Sequence, residues 1–537
     1  MLKKLKSAKK ATVLLFSTAL VTSTLGACSA SGTTQAQAQP QTTQTQVQST
    51  QPEAVEEQEV KEPKYIFMFI GDGMSAVQVN SAQIYGGTNK HNQMALDKMN
   101  FQGFEAVGYQ TTQDATSFAP DSASTATSLS SGFKTWSGTI GLKPVGDKTG
   151  NKPENVDGSQ IPQTIAERLK AEKGMKIGIV STVTINHATP AAYYAHVPSR
   201  NDYYGIAMQM ADSGFDYFGG GTISQPTGKE KDQKDAYEIL KEKGYQIAQT
   251  KKDILALDNR SGKVYAVTPE VQDSGAMPYA IDSKDGDLVL ADFVRKGIDV
   301  LDNEKGFFMM AESGKIDWAG HANDAKANIG DVLALEEAVQ VAIDFAKEHP
   351  EETLIIVTGD HETGGMTIGQ ATTNYDTAFH LLENQKISYV AFDDLVNEMI
   401  AENPGLAFSD IMPVITENFG LVNETPEGDI SRSGEPSYMT LELSDWETER
   451  LEKAFEETIA AEPTDSEESD LLYGGYNPLS VTLTHILNNK AGIGWTSYFH
   501  TGVPVPVYAA GTGAQLFNGA YENTEVYDKL AAITGLK

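Results

Sequence analysis

Four apolar runs, each followed by polar residues, set the plan of the chain. Tyr65-Ile-Phe-Met-Phe-Ile70 runs into Gly71-Asp72-Gly73-Met74, and Lys176-Ile-Gly-Ile-Val-Ser-Thr182 leads on to His187-Ala-Thr189-Pro190. Gly306-Phe-Phe-Met-Met-Ala311 ends at Glu312, and Thr353-Leu-Ile-Ile-Val-Thr358 ends at Gly359-Asp360-His361. Short runs without polar alternation read as strands buried on both faces. Between them, helical spacing predicts helices over 161–170, 287–301 and 324–347. The first has Pro162 just inside its start, where a missing N–H costs nothing. Strands alternating with helices predict an α/β fold with a central, mostly parallel sheet and helices on both faces. Ligands of such sheets bind beyond the carboxyl ends of the strands. All four runs deliver polar, metal-competent residues there.

The pattern changes over about 376–480. This stretch is acidic, with helical spacing at 393–401 and 445–461, a loop around 423–436, and further acids at Glu462, Asp465, Glu467, Glu468 and Asp470. It reads as a helix-rich insertion or subdomain beside the sheet. Covering a pocket, mediating dimerisation and solubilising the molecule are all open to it. The core resumes around Ala491, with Gly492-Ile-Gly-Trp495, His500-Thr-Gly502 and a final strand over 503–509.

Ahead of the first strand the chain has no pattern suited to a core. Residues 1–27 carry five lysines, no acid, and an apolar run from Ala11 to Leu25. That is the layout of an export signal, too short for a comfortable membrane span. It ends Leu25-Gly-Ala-Cys28, which resembles a bacterial lipobox and implies lipidation of Cys28. A plain signal peptide with an incidental cysteine is the alternative. Residues 28–63, rich in Gln, Thr and Ser and then Glu, read as a disordered tether ahead of a catalytic domain over 64–537. The expected location is the extracytoplasmic side of a cell membrane.

Charge and cysteine content narrow the chemistry. The 537-residue chain has a formal charge of −32, which becomes −37 once the five lysines of residues 1–27 are set aside. Such a bias argues against nucleic acid as a partner. An anionic substrate then needs a local positive feature, such as metal ions. The single cysteine, Cys28, excludes an intrachain disulfide and a thiolate metal cluster. Metal sites must rest on histidine and carboxylate, a set compatible with zinc or magnesium.

Candidate chemistry gathers in three places. Phe118-Ala-Pro-Asp-Ser122-Ala-Ser-Thr-Ala-Thr127 is a proline-bounded loop entering a helix. The free N–H groups at such a start favour an anion, and Ser122 can be a nucleophile if something removes its proton. An ordinary N-cap is the plainer reading of Asp-Ser there. In Glu312-Ser-Gly-Lys-Ile-Asp317-Trp-Ala-Gly-His321, Asp317 and His321 are one helical turn apart and can share a metal. Asp360 and His361 form a second pair in a strand-end turn, with Asp72 as a third ligand. A solvated helix face explains a lone pair of this kind, but two pairs plus Asp72 are harder to explain so.

Together these segments resemble alkaline phosphatases. The resemblance rests on Ile70-Gly-Asp72-Gly-Met, Pro120-Asp-Ser122-Ala-Ser-Thr-Ala-Thr, His187-Ala-Thr189-Pro-Ala, His196-Val-Pro-Ser-Arg200, Glu312 through His321, Val357-Thr-Gly-Asp360-His361 and His500-Thr-Gly. They occur in the family's order from about 64 to 515; 376–480 carries none. The resemblance implies a metal-dependent phosphate monoester hydrolase with two Zn2+ and one Mg2+. Ser122 would form a phosphoserine and Arg200 would clamp phosphate. Asp317, His321 and His500 would hold one zinc, and Asp72, Asp360 and His361 the other. Asp72, Thr189 and Glu312 would hold magnesium.

Two positions depart from some relatives. His187 stands where the enterobacterial enzyme has Asp and the mammalian enzymes have His. Trp318 replaces the enterobacterial Lys and the mammalian His. This implies an altered third metal site, with His187 a ligand either directly or through water, and an aromatic wall for the substrate at Trp318. Tyr109 is a second candidate for that wall. The substrates implied are small phosphate monoesters, and a homodimer is compatible with the resemblance. A phosphodiesterase or sulfatase on the same fold, and a surface lipoprotein that binds metal or phosphate without turnover, are the competing readings. The Asp-Ser-Ala nucleophile and Arg200 favour monoesters.

Overall fold

The computed structural model describes residues 61–91, 93–143, 161–424, 440–460 and 466–537. The export signal, Cys28, nearly all of the tether, most of the loop around 423–436, and Glu462 and Asp465 lie outside the described residues. In chain order the strands are β1 (Tyr65–Gly71), β2 (Ala106–Thr111), β3 (Lys176–Ser181), β4 (Tyr217–Gly220), β5 (Tyr245–Ala248), β6 (Lys263–Val267), β7 (Phe307–Ser313), β8 (Thr353–Gly359), β9 (Glu362–Thr363), β10 (Thr367–Ile368), β11 (Ile493–Gly494), β12 (His500–Thr501), β13 (Val505–Gly511) and β14 (Gly519–Glu522). Ten of them form one sheet in the order β14-β2-β13-β8-β1-β7-β3-β4-β6-β5. Every pairing in it is parallel except those of β13 with β2 and β8. The four apolar runs are therefore adjacent strands: β1 lies between β8 and β7, and β3 follows β7.

Both faces of this sheet are covered, as the unalternated runs require. All six side chains from Tyr65 to Ile70 are at most 2% exposed. Tyr65, Phe67 and Phe69 pack on one face with Phe293 and Val294 of the helix Leu290–Leu301 and Ile329, Val332 and Leu335 of the helix Ala325–Glu348. Ile66, Met68 and Ile70 pack on the other with Ala123, Ala126 and Leu129 of the helix Ser122–Ser131 and Leu530 of the helix Thr524–Ile533. At about 1.5–3 kcal/mol per fully buried large apolar side chain, β1 anchors both layers.

Element boundaries follow capping chemistry more closely than periodicity. The helix expected from 161 begins only at Ile165, so Pro162 precedes it instead of sitting in its first turn. Thr164 sets that start: its hydroxyl accepts from the Glu167 amide at 3.1 Å while the Glu167 carboxylate accepts from the Thr164 amide at 2.8 Å. Ser388 likewise starts the helix Tyr389–Glu402 ahead of the expected 393. The acidic region continues with helices Phe408–Phe419, Asp445–Ala460, Glu467–Tyr473 and Pro478–Ala491. Its Phe392, Phe419, Leu451 and Phe455 share the apolar cluster that contains Phe67.

Candidate active site

The site lies beyond the carboxyl ends of β1, β8, β7 and β3. Asp72 follows β1 directly, and the turn continues through Gly73 at φ 73°, a conformation that favours glycine. A Cβ on Gly73 would also fall 2.8 Å from the Thr363 hydroxyl. Glu312 lies within β7, paired in register with Ile70 of β1 and Ser181 of β3. Asp360 and His361 leave β8, and Gly359 before them lets the Met74 carbonyl approach to where a Cβ would be only 1.9 Å away. Asp317 and His321 sit on the helix Lys315–His321, and His500 opens β12, which pairs with β9.

These segments bring the expected metal-competent residues together. Asp72, Asp360 and His361 form one group whose ligand atoms all lie within 4.8 Å of one another. Asp317, His361 and His500 form a second such group. His321 joins that second group: its Nε2 is 3.4 Å from Asp317 Oδ2 and 3.1 Å from His500 Nε2. The groups share His361, whose ring stacks on that of His500 at 3.7 Å.

The donors present fit cations. His321 Nδ1 and His500 Nδ1 each lie 2.5 Å from a backbone carbonyl, of Tyr498 and Pro120 respectively. A carbonyl only accepts, so both Nδ1 atoms carry protons and both Nε2 atoms present lone pairs into the site. Their contact at 3.1 Å is satisfied by a proton or a metal ion held between the two nitrogens. Nearby, Asp72 Oδ2, Thr189 Oγ1 and Glu312 Oε1 are buried without a hydrogen-bond partner. An all-oxygen set of this kind suits a hard cation.

Charge in the site is one-sided. Asp72, Glu312 and Asp360 are fully buried. Burial, reinforced by Asp360, Asp317 and Glu312, holds the Asp72 carboxyl well above its ordinary range. Burial raises Asp360 as well and pushes Glu312 up to about 7. Burial also lowers His500 to about 3, with His361 adding to the effect. Two carboxylates about 5 Å apart repel by roughly 3 kcal/mol at an effective dielectric of about 20. Arg200 is the only lysine or arginine among the described residues that line the pocket.

Ser122 occupies the first turn of its helix and is 1% exposed. Its Oγ is 3.1 Å from His361 Nε2 and 3.4 Å from Asp72 Oδ1. Asp121 is the cap, accepting from the Ser124 amide at 3.1 Å. It also accepts from Arg200 Nη1 at 3.0 Å and from the Gly138 amide at 2.9 Å. Arg200 Nη2 donates toward His187 Nε2 at 3.3 Å. Burial, and then Arg200 beside it, lowers His187 to about 3, so the ring is neutral at ordinary pH. His187 therefore stands beside the arginine and belongs to neither three-ligand group. Trp318 packs edge-on to His187 at 5.8 Å and lines a pocket of about 390 Å³ with Ser122, Arg200 and His500. Tyr109, half exposed on β2, does not line it.

Several supporting residues carry no signal in the sequence. Ser181 donates a short hydrogen bond to Glu312 Oε2, Thr125 donates to Asp360 Oδ2 at 3.0 Å, and Thr363 donates to Asp317 Oδ1. The parallel register of β3 against β7 would have shown Ser181 opposite Glu312, but register is not read from one strand. Asp121 was legible as a helix cap and not as the residue that orients Arg200. His196 is satisfied by the Gly141 carbonyl and Glu167 and stays outside the site.

Comparison with known proteins agrees with this geometry. The alkaline phosphatase family model matches residues 63–536. Alkaline phosphatase 3 of Bacillus subtilis is 30% identical over 475 residues, covering 87% of each chain. The alkaline phosphatase of Schizosaccharomyces pombe is 25% identical, covering 87% of this chain and 80% of that one. Among solved structures, the cold-active alkaline phosphatase of Shewanella sp. is 26% identical with a TM-score of 0.68, over 88% of this chain and 100% of that one. A variant of the TAB5 alkaline phosphatase, solved with Mg bound, is 25% identical with a TM-score of 0.58, over 89% and 100%.

The raised Glu312 carboxyl gives the metal-free protein a defined pH response. Folded Glu312 keeps its proton up to about pH 7, against an ordinary value of 4.5. Its contribution is present in full below the ordinary value and is lost as pH rises through 7. Chelator-treated protein is expected to melt at a lower temperature at pH 8 than at pH 6. Glu312→Gln should shrink that difference, and zinc with magnesium should restore the melting temperature at pH 8. A metal-free protein whose pH difference is untouched by Glu312→Gln would contradict the assignment.

Proposed function

The chain belongs to the alkaline phosphatase family, and on that premise we propose a serine-based mechanism for its reaction. It is a metal-dependent phosphate monoester hydrolase. The observation that carries the mechanism is Ser122 Oγ at a helix N-terminus, 3.1 Å from His361 Nε2 and 3.4 Å from Asp72 Oδ1, in one pocket with Arg200.

Three cation sites are proposed. Asp317, His321 and His500 would hold one Zn2+, Asp72, Asp360 and His361 a second, and Asp72, Thr189 and Glu312 an Mg2+. Cations so held would offset the buried carboxylates, favour the serine alkoxide and stabilise charge on the attacking and leaving oxygens.

The chain's own groups do the rest. Arg200, held on one side by Asp121, matches two phosphate oxygens with its planar fork. The first amides of the helix Ser122–Ser131 add donors to the same anion. Ser122 Oγ loses its proton and attacks phosphorus. The bond from phosphorus to the ester oxygen breaks, and the departing alkoxide takes a proton to leave as the alcohol. Water then attacks the phosphoserine, inorganic phosphate is released, and Ser122 regains its proton. Ser181 and Thr125 hold Glu312 and Asp360 in place throughout. The neutral His187 accepts from Arg200 Nη2 at 3.3 Å and steadies the guanidinium.

The same reading extends to location. The basic, apolar N-terminus and Leu25-Gly-Ala-Cys28 support export and lipidation of Cys28, so that phosphate is released outside the cytoplasm. Among the described residues no helix is long and apolar enough to cross a membrane.

Three experiments follow. Purified enzyme with zinc and magnesium should hydrolyse an aryl phosphate monoester far faster than the matching diester, and chelator should abolish the difference. Ser122→Ala should lower kcat by at least about a thousandfold, as loss of an activated nucleophile does; a fully active variant, or preference for the diester, would sink the mechanism. Radiolabelled fatty acid should mark the wild-type chain in cells and not Cys28→Ser. Equal labelling of both would remove the anchor from the account.

A further inference from the structure

The lining of the pocket falls into two chemical groups. Ser122 and the Arg200 guanidinium form one. Trp318, Tyr389, Tyr476 and Asp273 form the other. Tyr389 and Tyr476 come from the acidic helical region; their rings meet edge to face at 5.6 Å. Asp273 belongs to a tight turn in which it and Ser274 both have positive φ, 43° and 60°. That strained backbone carries the carboxylate at the pocket wall, where its side chain is 26% exposed.

The back of this wall already holds an ammonium group. Lys315 is fully buried, and its Nζ has no hydrogen-bond partner. It sits 3.6 Å from the centroid of the Tyr279 ring and 4.8 Å from that of Trp318, with Asp273 Oδ2 3.7 Å away. Asp331 and Asp282 also act on it, and burial pushes the Asp331 carboxyl up to about 7.

We infer that this aromatic and acidic part of the pocket is a subsite for a cationic leaving group, so that phosphate esters of amino alcohols, quaternary ones above all, are preferred substrates. Aromatic faces beside a carboxylate recognise quaternary ammonium through the ring quadrupole and need no hydrogen-bond donor from the ligand. The phosphate of such an ester meets Arg200 while its ammonium meets Trp318, Tyr389, Tyr476 and Asp273. A zwitterion matches both groups, whereas a second anionic group would meet Asp273. The acidic helical region thereby supplies part of the substrate wall. This inference rests on the phosphatase reading above and deepens it.

The test compares phosphocholine with neohexyl phosphate, the ester with an uncharged leaving group in which carbon replaces the ammonium nitrogen. Steady-state kcat/KM of the metal-loaded enzyme should favour phosphocholine by about tenfold or more, the size of one or two well-placed cation–π contacts. Asp273→Asn and Tyr476→Leu should each bring the ratio down toward one, chiefly through KM for phosphocholine. Tyr476→Phe, which keeps the ring, should retain it. Equal kcat/KM for the two esters, or a ratio unchanged in both Asp273→Asn and Tyr476→Leu, overturns the subsite while leaving the phosphatase reading intact. Failure to hydrolyse either ester overturns the phosphatase reading and the subsite with it.

Discussion

Mutual repulsion among buried carboxylates is the constraint on which this structure depends. Asp72, Glu312, Asp317 and Asp360 converge at the ends of adjacent strands, with Arg200 the one lysine or arginine among the described residues lining their pocket. Left alone, Asp72, Asp360 and Glu312 keep protons they would shed in water, Glu312 up to about 7, whereas the histidines beside Asp317 hold its carboxyl well below the ordinary range despite burial. The fold tolerates the cluster because β1 and its neighbours are locked between two apolar layers. That burial outweighs a few kcal/mol of local repulsion. The imidazoles are oriented by carbonyls so that their lone pairs face inward, which makes the site a receptor for cations and, through them, for a phosphate dianion.

Substrate handling follows from the same asymmetry. A protein of formal charge −32 repels anions over most of its surface. Phosphate is favoured only where Arg200, the amides of the Ser122 helix and the cation-demanding groups lie together. Asp121 links the first two of these features: one carboxylate caps the nucleophile's helix and fixes the arginine. The rest of the lining, Trp318, Tyr389, Tyr476 and Asp273, is aromatic and acidic, so the proposed phosphate and leaving-group positions differ in character.

Much of this was legible before any coordinates. Unalternated runs such as Tyr65–Ile70 declare strands buried on both faces, and residues that follow such runs must emerge at one edge of a parallel sheet. That logic brought Asp72, Glu312, Asp360 and His361 together. The four-residue spacing of Asp317 and His321 likewise became a shared site. What stayed hidden depends on contacts between distant segments. Ser181 faces Glu312 only because β3 lies beside β7. His187 carries the same side chain whether it meets a metal or an arginine, and only the approach of Arg200 puts it beside the guanidinium. Pro162 looked like the first turn of a helix, yet the reciprocal bonds of Thr164 and Glu167 start that helix three residues later. The acidic stretch over 376–480 offered no motif at all, because Tyr389 and Tyr476 acquire meaning only when packing against Trp318's pocket brings them there.

The central claim is that Ser122 itself carries the phosphoryl group, and rapid acid quench of the metal-loaded enzyme during turnover of a labelled monoester tests it most directly. Mass spectrometry of the quenched protein should find one added phosphoryl group, on the peptide containing Ser122. Turnover at full rate with no phosphoryl group on that peptide, or with the label on another residue, would contradict the account.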